Sequence, residues 1–319
     1  MERGIRPVTM AVAVLVLLVA GCGGDGGGAE STTTLPPPTS TAATTTTEPG
    51  SSTTTTVPGT TTSTVPATTT TVVESNPIAV YFLLDPLPGE DDGPYLVPVH
   101  RTWPGEVTPD AVIETLLAGP SSDEASGTPR ILTEVPAGTQ LLGVDVAGGV
   151  ATVDLSGTFD DGGGSASMFA RLAQVVFTLT RLPDVDAVAF ALDGQPVGTF
   201  SSEGIVLDGA QVREDYYEWL PLVFVDSPAW GEPVTSPFTV SGLSNAFEAV
   251  SQVLVTDDDG APLFESTVTA TCGTGCWGEW QVDVTYDLDR PQLGAVIVWM
   301  DSPQDGGRVA VREYPVQLD

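Results

Sequence analysis

The sequence predicts an α+β two-layer sandwich followed by an all-β sandwich of immunoglobulin-like type. Three observations predict it. Between residues 78 and 220, strand-type and helix-type apolar patterns alternate, and interleaved elements of this kind pack as helices on a sheet. Between residues 221 and 319, about seven short β-rich runs follow one another, separated by turn residues and without helical periodicity, as in a two-sheet sandwich. Ahead of both, residues 22–77 are rich in Gly, Thr and Pro with no apolar period, so they cannot bury enough surface to offset their ordering entropy.

The elements of the first domain follow in order. Ile78–Leu84 is a buried-strand run and Tyr95–His100 a second, with a Pro/Gly/acidic loop between them. Thr108-Pro109-Asp110 opens a helix with a capping hydroxyl, a proline at the first helical position and an acid at the positive end. Val112, Ile113, Leu116 and Leu117 form its buried stripe, and Gly119-Pro120 ends it. Thr139–Val146 and Val150–Leu155 read as a hairpin around Ala147-Gly148-Gly149, with Ala151, Val153 and Leu155 on its buried face. Ser165 or Ser167 is expected to cap the next helix. In that helix Met168, Leu172, Val175, Val176 and Leu179 recur at helical spacing before Pro183. Val188, Phe190 and Leu192 share a face of a further strand that ends at the Asp193-Gly194 turn, and a short helix is expected near Arg213–Leu220.

The second domain is expected to begin near Leu220-Pro221. Its strands are read at Leu222–Val225, Phe238–Ser241, Val250–Thr256, Leu263–Thr271, Trp280–Tyr286, Ala295–Trp299 and Val309–Val316.

Charge narrows the function classes. The ten basic residues are all Arg, against 42 Asp plus Glu, giving a net charge of −32. Phosphate backbones and anionic lipid surfaces repel such a chain, so nucleic acid is excluded as a partner.

The N-terminus carries an address. Arg3 and Arg6 precede an apolar run from Val8 to Ala20 that ends in Leu18-Val19-Ala20-Gly21-Cys22. This is the pattern of a secretory signal peptide, too short to span a bilayer as a helix. Leu18–Cys22 resembles the lipobox of bacterial lipoproteins. That resemblance implies a signal peptide over residues 1–21, a diacylglyceryl group on Cys22, and anchoring to the outer face of the cytoplasmic membrane. Residues 22–77 then form a lipid-anchored linker. From Ser31 to Ser75, 21 of 45 residues are Thr, which reads as a stalk open to O-glycosylation. Such a linker would span roughly 40 Å as a coil and about 170 Å if fully extended.

Several stretches carry a resemblance to known domains. Thr115–Pro120, Val135–Gly143, Val150–Ser156, Arg171–Thr180 and Arg213–Tyr216 resemble the GerMN (sporulation and spore germination) domain, over most of residues 78–219. Ser236–Gly242, Asn245–Glu248 and Thr271–Cys276 are similar to the immunoglobulin-like domain of bacterial spore germination, over residues 221–319. Both resemblances imply extracytoplasmic, non-catalytic modules with no defined ligand, and the chain is expected to be an envelope lipoprotein that binds an envelope protein or a cell-wall component.

The chemistry-bearing residues agree with a non-enzyme that needs no cofactor and no metal. Cys272 and Cys276, separated by Gly-Thr-Gly in an exported chain, read as a disulfide that pins a local turn. His100 is the sole histidine and has no Gly-x-Ser-x-Gly elbow to accompany it, so a hydrolase built on it is a poor reading. Asp257-Asp258-Asp259-Gly260 reads as a hairpin turn more readily than as a calcium loop. The acidic loops Glu90-Asp91-Asp92-Gly93 and Asp160-Asp161-Gly162 read the same way. Trp277 and Trp280 are the candidate ligand contacts. Trp277, flanked by Gly and the expected disulfide, is the tryptophan expected to be exposed. There it could stack on a sugar ring or anchor a partner.

Overall fold

Strand pairing begins with two long apolar runs. In the computed structural model, which describes residues 75–86 and 93–319, β1 (Ser75–Leu84) pairs antiparallel with β2 (Tyr95–Pro104), Ala79 facing His100. β3 (Ile131–Leu132) lies on the other side of β1. The leader, Cys22, the linker as far as Glu74, and Glu90–Asp92 lie outside the described residues.

Between β2 and β3 sit α1 (Pro109–Leu117) and α2 (Ser122–Ser126). Thr108 caps α1 through its hydroxyl, which accepts from the Ala111 N–H, and Pro109 takes the first helical turn as expected. Val112, Ile113 and Leu116 are buried on its core face, with Leu117 at the margin. β4 (Leu141–Ala147) and β5 (Val150–Leu155) form the expected hairpin around Gly148-Gly149. β5 then pairs in parallel with β6 (Ala187–Leu192), and β7 (Gln195–Pro196) closes that sheet. β8 (Thr199–Phe200) and β9 (Ile205–Val206) form a small separate ribbon.

The crossover from β5 to β6 is α3 (Ser165–Leu179), the most buried element of the domain. Its start differs from expectation. Gly164, which has no side chain to cap with, holds the N-cap position, and both candidate serines lie inside the helix with their hydroxyls engaged elsewhere. Ser165 donates to Glu203 at 2.8 Å and Ser167 to Glu134 at 2.5 Å. Polar side chains on α3 also complete the bonding of β1. The Tyr81 N–H donates to Thr178 Oγ1 at 3.0 Å, and the Tyr81 carbonyl accepts from Gln174 Nε2 at 3.1 Å. Gln174 and Thr178 are therefore fully buried without orphaning a polar atom.

The second domain is a two-sheet sandwich. One sheet has the order β10 (Val223–Ser227), β12 (Phe238–Ser244), β15 (Gly278–Val284). The other runs β11 (Pro233–Val234), β17 (Arg308–Leu318), β16 (Gln292–Asp301), β13 (Val250–Thr256), β14 (Pro262–Thr269). Val223, Val225, Val240, Trp280 and Val284 meet Val253, Val255, Val296, Tyr314 and Val316 in its core, and all are buried. The seven longer strands fall at the seven runs read from the sequence. β11 is the addition, a two-residue segment paired in parallel with the end of β17.

One position in this sheet admits no side chain. A Cβ on Gly242 of β12 would overlap the Phe224 carbonyl oxygen of β10. Glycine in a strand interior commonly marks such a backbone approach. Gly242→Ala should displace β10 and cost about 2–3 kcal/mol of stability, measurable as a shifted urea midpoint at unchanged slope. An unshifted midpoint would show that β10 gives way freely.

Candidate functional site

The buried residues of both domains form one continuous cluster. Phe224 of β10 turns away from its own sandwich and meets Phe177 of α3 edge-on, with ring centroids 6.3 Å apart. Nearby, the Trp230 N–H donates to the Pro98 carbonyl at 2.8 Å and the His100 N–H to the Trp230 carbonyl at 2.9 Å. The loop after β10 is thereby stitched to β2.

The polar centre of this junction is Asp226, at the end of β10. Tyr81 of β1 donates its hydroxyl to Asp226 Oδ1. Arg213 Nη1 donates to Asp226 Oδ2 at 3.1 Å, and Arg181 Nη1 to the Asp226 carbonyl at 2.7 Å. Arg213 begins a 3-10 helix (Arg213–Trp219) and is anchored further by Thr180 Oγ1 at 2.8 Å and the Phe177 carbonyl at 3.2 Å. Its guanidinium lies 4.8 Å from the Phe177 ring centroid and 5.4 Å from that of Tyr81, within cation–π range. Burial pushes the Asp226 carboxyl up, but Arg213 and Arg181, with the Tyr81 hydroxyl, outweigh it and hold it below the usual carboxylate range. Burial likewise opposes the charge on Arg213, and Tyr81 and Asp226 outweigh it.

Beside this lock lies a cleft of about 1010 Å³. Arg213, Glu214 and Tyr217 line it from the first domain, and Ser241, Glu279 and Gln281 from the outer face of β12 and β15. The ring of Tyr217, which lines the cleft, meets Trp277 with centroids 5.5 Å apart. The Tyr217 hydroxyl is pushed up to about 12, by burial first and then by Glu214.

The residues singled out in the sequence are dispersed. Cys272 and Cys276 are disulfide-bonded, with Cα atoms 5.8 Å apart. Trp280 is buried in the sandwich core. Trp277 does not stand free. It is half-buried, because Tyr217 covers one side of its ring. His100 is half-buried in β2, where burial pushes its imidazole down against the opposing pull of Glu232. Asp257 makes the expected turn, its carboxylate accepting from the Asp259 and Ala261 N–H groups at 3.1 and 2.7 Å, while Asp258 pairs with Arg290. At Asp160–Gly162 the backbone carbonyls of Asp161 and Gly162 receive the Arg171 guanidinium. Among the described residues no group of three or more His, Cys, Asp or Glu is placed to hold a metal ion.

The Asp226 lock was not foreseen, because its members are far apart in sequence. Tyr81 sits inside an apolar run and Arg213 at the start of a short helix. The available signal was Asp226 itself, a carboxylate directly following Val223-Phe224-Val225.

Two family models match this architecture. Residues 79–198 match Germane, described as sporulation and spore germination. Residues 222–307 match Gmad2, the immunoglobulin-like domain of bacterial spore germination. The chain carries a Germane domain followed by a Gmad2 domain. Among solved structures, the tandem GerMN domains of the sporulation protein GerM from Bacillus subtilis are 24% identical, over 44% of this chain and 47% of that one, with a TM-score of 0.36. The Germane–Gmad2 chain thus spans about half the length of that relative. The first GerMN domain of the same protein is 19% identical over 44% of this chain and 99% of its own, with a TM-score of 0.34. Comparison with curated proteins gives no match. Germane and Gmad2 are germination-related domains with no known catalytic role, which supports a scaffold or binding role.

Proposed function

We propose that the protein is a non-enzymatic lipoprotein of the cell envelope. It presents its Germane and Gmad2 domains as one rigid binding unit outside the cytoplasmic membrane, to an envelope protein or a cell-wall component. The observation that carries this reading is the junction. A shared apolar core and a partly buried ion cluster hold the two domains in one relation, so a partner meets a fixed composite surface and pays little ordering entropy on binding. The leader, Cys22 and the Thr-rich linker support the anchoring. The strongly negative charge disfavours direct adhesion to anionic lipid, so the lipid group, not the protein surface, would supply the attachment.

Cys22→Ala should move the protein from the membrane fraction to the soluble fraction with both domains still folded. A variant that stays membrane-bound would overturn the lipoprotein reading. Crosslinking in cells from the folded domains would then identify the partner.

A second reading, a module for cell-wall glycan, draws on the cleft. Its hydroxyl, carboxylate and carboxamide lining, with the aromatic Tyr217 that Trp277 contacts, suits a polyhydroxylated ligand. Retention on purified peptidoglycan that falls for Trp277→Ala supports it. No retention, or retention unchanged by the substitution, removes it.

A further inference from the structure

We propose that the Cys272–Cys276 disulfide is a redox-sensitive latch that holds Trp277 against Tyr217 and so fixes one wall of the interdomain cleft. The five-residue ring is clasped on two sides. Toward the Asn245–Ala249 turn, the Thr274 N–H donates to the Ala246 carbonyl at 2.8 Å and the Gly275 N–H to Asn245 Oδ1 at 2.7 Å. The Glu248 N–H donates in return to Thr274 Oγ1 at 2.9 Å. At its neck, the Thr271 N–H donates to the Glu279 carbonyl at 2.9 Å and the Glu279 N–H to Thr271 Oγ1 at 3.0 Å. There is no room for side chains at the joints. A Cβ on Gly273 would overlap Ala249, and one on Gly278 would overlap the Cys272 backbone.

This clasp is strained. Glu248, Ala249 and Thr274 all have left-handed φ, at 54°, 61° and 52°, a conformation that costs non-glycine residues about 1 kcal/mol or more each and persists only where the surroundings over-determine it. The disulfide is one of those determinants. Trp277 follows Cys276 directly and precedes the neck, so the ring sets the position from which its indole reaches Tyr217. Tyr217 lies on the same 3-10 helix as Arg213, while Thr271 and Glu279 belong to the neck, and all four line the cleft.

The chemistry is thiol–disulfide exchange. A thiolate of an external dithiol attacks one cysteine sulfur and breaks the S–S bond to give a mixed disulfide. Its second thiol then closes a cyclic disulfide, leaving Cys272 and Cys276 as two thiols. Both cysteines are only half-buried, and Thr274 and Gly275 at the tip of the ring are exposed, so the reagent has access. Once reduced, Thr274 can relax, and Trp277 is released from a fixed base.

The test is amide hydrogen exchange on the full chain carrying Cys22→Ala, so that this pair is the sole redox couple, with and without dithiothreitol. Reduction is expected to raise exchange about tenfold in residues 213–219 as well as 271–279, with the β16–β17 pair unchanged. Trp277→Ala with the disulfide intact should reproduce the effect at 213–219. If loosening stays within 271–279, or spreads to β16–β17, or if oxidised Trp277→Ala leaves 213–219 fully protected, the latch is overturned.

Discussion

Asp226→Ala should destabilise the protein by about 3 kcal/mol, because it removes the anion from between two partly buried cations. The Arg213 and Arg181 side chains are 18% and 26% exposed and that of Asp226 25%, so solvent screens the pairs only in part. Removing the carboxylate also strips the Tyr81 hydroxyl of its acceptor, and Tyr81 is wholly buried. For a folded body of this size the loss corresponds to roughly 6–12 °C in Tm. Because Asp226 joins β10 to β1, to Arg181 just after α3 and to the Arg213 helix, both domains should lose stability together, as one transition in calorimetry. A loss below about 1 kcal/mol, or two separated transitions in the wild type, would show that the lock is peripheral.

The same cluster sets an acid limit. The folded Asp226 carboxyl is held below its ordinary value, so its contribution is fully present above the unfolded carboxylate pKa of about 3.9. It is lost as pH falls through the lower, folded value. Wild-type stability should therefore drop below about pH 4, and Asp226→Ala should flatten that limb. Parallel acid limbs in the two proteins would assign the loss to other carboxylates.

How much of this was legible depends on the range of each interaction. Local signals carried the elements. Thr108-Pro109 fixed the start of α1, Asp193-Gly194 the turn after β6, and alternation in Val150–Leu155 the buried face of β5. The cysteine pair was readable because its spacing is local and the leader implied an oxidising compartment. The site was largely illegible. Tyr81 and Asp226 lie 145 positions apart, and nothing near either announces the other. Trp277 is half-buried, not fully exposed, for the same reason. Its flanking glycines argued for exposure, but Tyr217, 60 residues earlier in the chain and in the other domain, covers it. The capping serines failed more locally, since glutamates from two loops, Glu134 and Glu203, compete for their hydroxyls.

Arg171→Ala should be as damaging as the loss of Asp226, for a reason that apolar periodicity hides. Arg171 lies on the buried side of α3 and is 2% exposed, where the pattern of Met168, Leu172, Val175 and Val176 gives no place for a cation. It is there because the loop before α3 turns its carbonyls inward. Arg171 Nη1 donates to the Phe159 and Asp161 carbonyls at 2.6 and 3.1 Å, and Nη2 to the Gly162 carbonyl at 3.2 Å and Ser167 Oγ at 2.9 Å. Burial pulls its pKa down, while Glu134, Asp160 and Asp161 pull it back, so charge neutralisation and hydrogen bonding act together. Truncation leaves those carbonyls without a donor and opens a cavity beneath the loop, at a combined cost of about 3–5 kcal/mol. Arg171→Met separates the two losses, since it keeps the apolar stem but no donor. If the hydrogen bonds dominate, Arg171→Met recovers less than half of the stability lost in Arg171→Ala in urea denaturation. If Arg171→Met is as stable as the wild type, the guanidinium is dispensable and the loop is held by the Phe159 side chain, which packs beside Phe190 and Phe200 at centroid distances of 6.2 and 5.4 Å.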